Sequence, residues 1–398
     1  MKDPVATAAS TIRRAKAAQQ PEWSDPAQVQ RVRDILSARP PLVRLEDVRM
    51  LRSLLADVAA GEAHIIQTGD CAEDPGSCTP EHISRKGAML DLLVGTLKMR
   101  TRTPVLRVGR IAGQYAKPRS SRLEQHGDRQ LPVYRGHMVN GPEPDPAARS
   151  ADPLRILGCY MAAREVIEQL GWHRLGHDTR PRIEPPLWTS HEALLLDYEL
   201  PMIRDLGGGQ RWLSSTHWPW IGERTRQVDG AHVAMLADVL NPVACKIGPD
   251  IDTAEIVALC DRLDPHHEPG ALTLIARIGA DLVGDRLPRL VEAVRRAQHP
   301  VIWLCDPMHG NTIAGPGGRK VRVVDTIARE IREFRRAIAA GGGVAGGLHL
   351  ETTPDDVTEC VSDTSALRHA GRLSASLCDP RLNPAQAISV VSAWSDTG

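Results

Sequence analysis

Eight short apolar runs, spaced along the chain with helical or longer polar segments between them, are the feature that most limits how it can fold. They are "AHIIQ", "TPVLRVG", "PPLWTS", "WLSSTH", "PVACKIG", "LTLIARIG", "PVIWLCD" and "VAGGLHLE". Several of the gaps are amphipathic helices. In "RKVRVVDTIAREIREFRRAIAAGGG" the side chains of Ile327, Ile331, Phe334 and Ile338 fall on one stripe, and the glycines stop it. "RLPRLVEAVRRAQ" and "DTAEIVALCDRL" follow the same pattern. Strands alternating with helices imply an α/β protein with a parallel sheet, and a count of eight implies a closed (β/α)₈ TIM barrel. An open, doubly wound sheet is the structural alternative.

Residues 1–60 read as an N-terminal helical extension, through "PAQVQRVRDILSARPP" and "LEDVRMLRSLLADVAAG". Residues 61–398 then form the barrel. The polar, Pro/Gly-containing stretch at about 120–153 is too long for a tight barrel loop and is expected to be an excursion at the active site or an interface. "AGPGGRK" has no Ser or Thr after Lys320, and "GGGVAGG" leads into a strand, so both read as turns rather than phosphate loops.

Lys+Arg and Asp+Glu are equal at 49 each, which argues against bulk attraction to nucleic acid or membranes. Aromatic residues at 3% argue against a base-stacking surface. The N-terminus lacks the apolar region of a secretion signal and no run is long enough to span a bilayer, so the expected location is the cytoplasm. The eight cysteines, without a CxxC pair, are then expected to be mostly reduced.

Polar residues gather where the runs end. Asp70 and Cys71 follow the first, Arg110 the second, and Ser190, His191 and Glu192 the third. Glu223 and Arg224 follow the fourth, Lys246 and Arg277 lie in the fifth and sixth, Asp306 and His309 follow the seventh, and His349 and Glu351 lie in the eighth. Taken singly, such residues are more often surface charges or satisfied structural groups than site residues. But an unpaired charge inside an apolar strand costs several kcal/mol, so Lys246 and Arg277 call for an anion. The C-terminal strand ends of a β/α barrel also converge on one mouth.

Two chemical groups separate. Arg110, Lys117, Arg119, Arg224, Lys246 and Arg277 are cations suited to more than one phosphate or carboxylate. Cys71, His309, Glu351 and Asp379 offer sulfur, nitrogen and oxygen donors suited to a divalent transition metal. Cys71 alone could be packing, a redox thiol, a nucleophile or a ligand.

The blocks "DCAE", "RVGRIAGQYAKPRS", "YRGHMVNGPEPD", "TSHEALLLDYE", "WIGERTRQVDGAHV", "NPVACKIGP", "CDPMHGNT", "GGLHLETTPDDVTEC" and "CDPRLN" carry a resemblance to the type II 3-deoxy-D-arabino-heptulosonate 7-phosphate (DAHP) synthases. It runs from about Trp23 to Gln386. The resemblance implies a metal-dependent barrel that condenses phosphoenolpyruvate with erythrose 4-phosphate and releases phosphate, the first step of the shikimate pathway. It implies metal ligands Cys71, His309, Glu351 and Asp379, with Mn²⁺ or Co²⁺ ahead of Zn²⁺. Arg110, Glu223, Arg224, Lys246 and Arg277 would take phosphoenolpyruvate, and Lys117, Arg119 and Ser120 erythrose 4-phosphate. Lys246, Glu223 and His309 would be the catalytic groups, Glu223 placing the attacking water and His309 or a metal-bound water relaying a proton. No nucleophilic thiol is needed, which favours Cys71 as ligand. A homo-oligomer, dimer or tetramer, and a complex with a chorismate mutase belong to the same expectation.

The family commonly has Gly where this chain has Thr68, which puts the turn before Cys71 in doubt. The stretch between Arg119 and Ser190 is short, as in the compact members of phenazine and other secondary pathways, so inhibition by aromatic amino acids is expected to be weak or absent. Two rival readings remain: the same chemistry on an amino analogue of the sugar phosphate, and a non-catalytic partner of chorismate mutase. Cys378 adjoins Asp379, so a Cys71–Cys378 disulfide that blocks metal binding is a further hypothesis.

Overall fold

The fold is seen in a computed structural model that describes residues 15–172, 185–315, 318–374 and 376–394. Its centre is eight parallel strands: β1 (His64–Gly69), β2 (Val105–Arg110), β3 (Trp188–Glu192), β4 (Trp218–Ile221), β5 (Val243–Ile247), β6 (Leu272–Ala276), β7 (Ile302–Cys305) and β8 (Val344–Glu351). Each pairs with the next in the chain and β8 pairs with β1, so the sheet closes as a (β/α)₈ TIM barrel. Every residue of β3 to β7 is buried, as expected for a sheet covered by helices on the outside and packed side chains within.

The outer helices follow the sequence pattern. Val324–Gly341 buries Ile327, Ile331, Phe334 and Ile338 and ends at Gly342, whose φ of +72° suits a residue without a Cβ. Thr253–Leu263 starts at Asp252, whose carboxylate accepts the Glu255 N–H at 2.7 Å.

Helices Pro26–Ser37 and Leu45–Ala59 precede β1 and cover the N-terminal end of the barrel. Leu42 donates its N–H to Ser214 O at 3.0 Å, just before β4, and Gly270, just before β6, lies against the backbone of Arg52 and Leu55. Leu36, Leu51 and Leu55 are fully buried in the same apolar cluster as the strands.

The fourth strand is not where the sequence pattern put it. "WLSSTH" does not form a barrel strand: Gln210–Leu213 pairs antiparallel with Ile203–Gly207 outside the barrel, and the barrel strand is the next segment, "WPWI". Pro219 lowers the strand signal of that segment, because it gives the ladder no N–H. The polar residues between are buried but satisfied; Ser214 donates to Met202 O at 2.6 Å and Ser215 to Glu199 at 2.6 Å.

The stretch at 120–153 contains a hairpin, Leu123–His126 with Arg129–Pro132, and an ordered turn. Asn140 fastens that turn to Val133 O at 3.0 Å and Arg149 O at 3.1 Å. A three-stranded sheet, Ile313–Ala314, Lys320–Val323 and Cys360–Val361, lies beyond the C-terminal ends of β7 and β8. Pro316 and Gly317 of "AGPGGRK" lie outside the described residues. Among the described residues no helix is long and apolar enough to cross a membrane.

Candidate active site

Strand register sets the site. Gly69 pairs with Arg110 on one side and Glu351 on the other, so three strand ends lie level. Gly69 has φ +152°, and a Cβ there would lie 2.5 Å from Arg110 O, so only glycine allows β1 to turn so closely against β2. Thr68, the departure from the family pattern, is absorbed without affecting that turn: its hydroxyl pairs with that of Thr352 at 2.8 Å.

The acidic residues around Cys71 hold the turn. Asp70 takes Arg381 and Lys86, each at 2.7 Å, on its two oxygens. Glu73 accepts the backbone N–H groups of Ala112, Gly113 and Gln114 at 3.2, 2.9 and 2.8 Å. Cys71 is thereby fixed between the segment carrying Asp379 and the loop leading to Lys117.

Ligand atoms of Cys71, Glu351 and Asp379, all buried, lie within 4.8 Å of one another. His309 is not part of that trio, but its Nε2 lies 3.2 Å from Glu351 Oε1. Its Nδ1 is 2.8 Å from Asp306 Oδ2, the carboxylate–histidine arrangement that orients a ligating imidazole. Lys117 and Lys320 meet the two oxygens of Asp379, Lys320 at 2.6 Å; Arg110 and Arg322 meet those of Glu351 at 3.0 and 2.6 Å. Burial opposes ionisation of both carboxylates. The neighbouring groups outweigh it, chiefly Lys117 at Asp379, and His309 followed by Arg322 and Arg110 at Glu351, so both carboxyls stay well below the usual range. The Cys71 thiol is lowered by its hydrogen bond with Cys378 and by Lys117, against burial. A sulfur, an imidazole nitrogen and two carboxylates kept ionised fit a divalent metal.

All twelve residues that the sequence assigns to metal, substrates or catalysis line one cavity of about 430 Å³ at the barrel mouth; of the other polar residues noted at strand ends, Asp70, Ser190, His191, Asp306 and His349 do not. Lys246 donates to Asp306 at 2.8 Å, while burial lowers its ammonium below the usual lysine value. Arg277 donates to His309 O at 3.3 Å, and Arg224 reaches across to Ser120 at 2.7 Å. Arg119 pairs with Glu124 at 3.1 Å. Arg110 Nε, Trp220 Nε1, Arg322 Nη2, Glu192 Oε1 and Glu223 Oε2, all on residues of this cavity, are among the buried polar atoms without a partner in the described residues. Buried polar groups are seldom left unpaired, and these five leave hydrogen-bonding capacity facing a single cavity.

Sequence reasoning missed three contributors and one connection. Lys320 ends a stretch read as a turn and Arg322 follows it, and only a strand pairing with Cys360–Val361 brings Arg322 to the mouth. Trp220 lies in the misplaced fourth strand, its ring 5.4 Å from the Arg110 guanidinium and 5.9 Å from Lys246 Nζ. Asp306 was visible at a strand end, but its joining of Lys246 to His309 was not.

A family model described as the class II DAHP synthetase family matches residues 7–177 and 172–394. The chain belongs to that family. It is 56% identical over 383 residues to a probable phospho-2-dehydro-3-deoxyheptonate aldolase of Pseudomonas fluorescens, covering 96% of each chain. It is 39% identical to a phospho-2-dehydro-3-deoxyheptonate aldolase of Mycolicibacterium smegmatis, covering 94% of this chain and 90% of that one. A solved phospho-2-dehydro-3-deoxyheptonate aldolase from Francisella tularensis superposes with a TM-score of 0.55 at 12% identity, over 92% of this chain and 97% of that one. That likeness is one of fold alone. This DAHP synthase family member therefore carries the family's barrel with the polar cavity at its mouth.

Proposed function

We propose that this cavity is where the chain, a transferase, condenses phosphoenolpyruvate with erythrose 4-phosphate to give DAHP and phosphate, the first step of the shikimate pathway. The observation that carries the site assignment is the convergence of six cations and four metal-ligand candidates on one cavity. Cys71, His309, Glu351 and Asp379 would hold one divalent ion, Mn²⁺ or Co²⁺ ahead of Zn²⁺, which supplies Lewis-acid polarisation of the sugar aldehyde.

Arg110, Arg224, Lys246 and Arg277 hold the phosphate and carboxylate of phosphoenolpyruvate. Lys117, Arg119 and Ser120 take the phosphate of the sugar, which sets its aldehyde beside the enol carbon. A bond forms between that carbon and the aldehyde carbon, and the aldehyde oxygen takes up a proton. Water then adds to the neighbouring carbon and releases one proton; the carbon–oxygen bond to phosphate breaks as the new hydroxyl gives up its proton, leaving a ketone and inorganic phosphate. Glu223 places the water; its unpartnered Oε2 supports that role. The cations stabilise the charge on the phosphate as it leaves. The Nδ1 of His309 is committed to Asp306, so Nε2 alone is available to bind metal or move a proton.

The eight free cysteines support a reducing, cytoplasmic setting. A homo-oligomer, a chorismate mutase complex and a secondary-metabolic role rest on the family resemblance. The test is an assay of purified protein with both substrates, with and without chelator, followed by return of Mn²⁺, Co²⁺ or Zn²⁺. Phosphate release that depends on both substrates and on metal is expected; turnover that survives full metal removal contradicts the ligand assignment.

A further inference from the structure

Below the cavity a chain of hydrogen bonds runs across the barrel interior through residues with no assigned role. Ser190 Oγ lies 2.5 Å from Trp218 O, Gln67 Nε2 lies 2.8 Å from Ser190 Oγ, and His349 Nδ1 lies 2.7 Å from Gln67 Oε1. His349 Nε2 then lies 3.3 Å from Arg110 Nη1. Gln67, Ser190 and His349 are all fully buried.

The direction of every bond follows from one end. A carbonyl oxygen only accepts, so the single Ser190 proton goes to Trp218 O, and Ser190 Oγ must accept from the Gln67 amide NH₂. That leaves Gln67 Oε1 facing His349 Nδ1, which must carry the proton. An arginine only donates, so His349 Nε2 must be the bare nitrogen that accepts from Arg110. Turning the Gln67 amide over would oppose two acceptors at Ser190 and two donors at His349. The chain therefore admits one amide orientation and one imidazole tautomer.

Its far end is Arg110. There Nη1 is held by His349, Nη2 by Glu351 at 3.0 Å, and the guanidinium lies over Trp220, whose ring also meets His349 edge-on at 5.2 Å. Arg110 Nε is left without a partner among the described residues. A long side chain with most of its freedom already removed loses less entropy when an anion binds.

We propose that Gln67 and His349 are positioning residues, which fix the Arg110 guanidinium for the anionic end of phosphoenolpyruvate through a hydrogen-bond chain polarised from Trp218 O. The proposal rests on the assignment of Arg110 to that substrate.

His349→Gln keeps an acceptor within reach of Arg110, whereas His349→Leu has a similar volume and no acceptor. The Leu variant is expected to raise KM and calorimetric Kd for phosphoenolpyruvate roughly tenfold, the effect of one lost hydrogen bond to a charged group. KM for erythrose 4-phosphate and bound Mn²⁺ stay as in the wild type, and the Gln variant stays within about threefold of it. Gln67→Leu, which leaves His349 without its orienting acceptor, raises KM for phosphoenolpyruvate in the same direction. Equal effects of Leu and Gln at His349, or equal losses for both substrates, indicate packing alone and overturn the proposal. If His349→Leu fails to fold, the Gln67→Leu and His349→Gln results decide it by the same criteria. Arg110→Lys separates the two readings. If it leaves KM for phosphoenolpyruvate unchanged, the substrate assignment itself fails; if it raises KM while His349→Leu does not, only the positioning chain fails.

Discussion

The carboxylate of Asp70 lies 2.7 Å from the guanidinium of Arg381, and this contact ties the turn carrying Cys71 to the segment carrying Asp379. Arg381 is itself held by a fork onto Glu359, with contacts of 3.1 and 3.0 Å, so the tie has a fixed anchor. Two candidate ligands from opposite ends of the chain are thereby set in register before any ion arrives. Asp70→Asn keeps the shape and weakens the tie. We expect it to lower Mn²⁺ affinity about 10- to 100-fold, the usual effect of losing a group that orients a ligand. Calorimetric titration of metal-free protein measures this, and wild-type affinity in the variant would show that Cys71 is aimed by something else.

Glu330 offers a prediction in pH. It is buried on the helix behind the mouth and accepts the Gly279 N–H at 2.8 Å, while its other oxygen takes the Asn311 side chain. It thus joins the loop after Arg277 to the loop after His309. Burial pushes its carboxyl from the ordinary 4.5 up to about 8. The folded state therefore keeps a proton that the unfolded chain has lost. Its contribution to stability is fully present below the unfolded value and is lost as pH rises toward the folded one. Glu330→Gln cannot ionise, so its Tm relative to wild type should climb between pH 5 and pH 8. Scanning calorimetry across that range tests it; a pH-independent difference would rule the linkage out.

Much of this was legible in the sequence because the signals were local. Lys246 and Arg277 stood out as charges in apolar runs, and Cys71 as a thiol at a strand end. Ile327, Ile331, Phe334 and Ile338 declared a helix by spacing alone. The fourth strand failed because Trp212 and Trp218 offer similar apolar starts, and Pro219 penalised the correct one. Arg322 failed for another reason. Its place depends on a pairing with Cys360, across a sequence separation that no local pattern reports. The Gln67–His349 chain was hidden because strand register, which sets who faces whom inside a barrel, is not written in any one strand.

Cys71 and Cys378 are both free, and the Cys378 thiol is the chief influence that lowers the Cys71 thiol. Mild oxidation with diamide should join them: a sulfur–sulfur bond forms as two protons and two electrons pass to the diamide. Cys71 would then be lost as a ligand. We expect a cross-linked Cys71–Cys378 peptide by mass spectrometry, loss of bound metal, and recovery of both with dithiothreitol. Cys378→Ser should resist the treatment. Oxidised wild-type protein with full metal content and no such peptide would sink the idea.

Glu223 carries the most specific catalytic prediction. It follows β4, accepts Arg226 Nε at 3.0 Å on Oε1, and has Oε2 unpartnered among the described residues. Gly248 lies so close that a Cβ there would come within 2.9 Å of the carboxyl carbon, so the carboxylate rests on bare backbone. Burial raises its carboxyl above the ordinary 4.5, with Arg226 opposing. If the ionised form places the attacking water, kcat/KM should fall as pH drops through that raised value, giving an acid limb above the usual carboxylate range. Glu223→Gln should lower kcat about 10²-fold or more, leave KM for phosphoenolpyruvate within a few fold, and abolish the limb. A variant that keeps both kcat and the limb transfers the role to Glu192. That residue lines the same cavity, has its own unpartnered Oε1, and is likewise raised by burial.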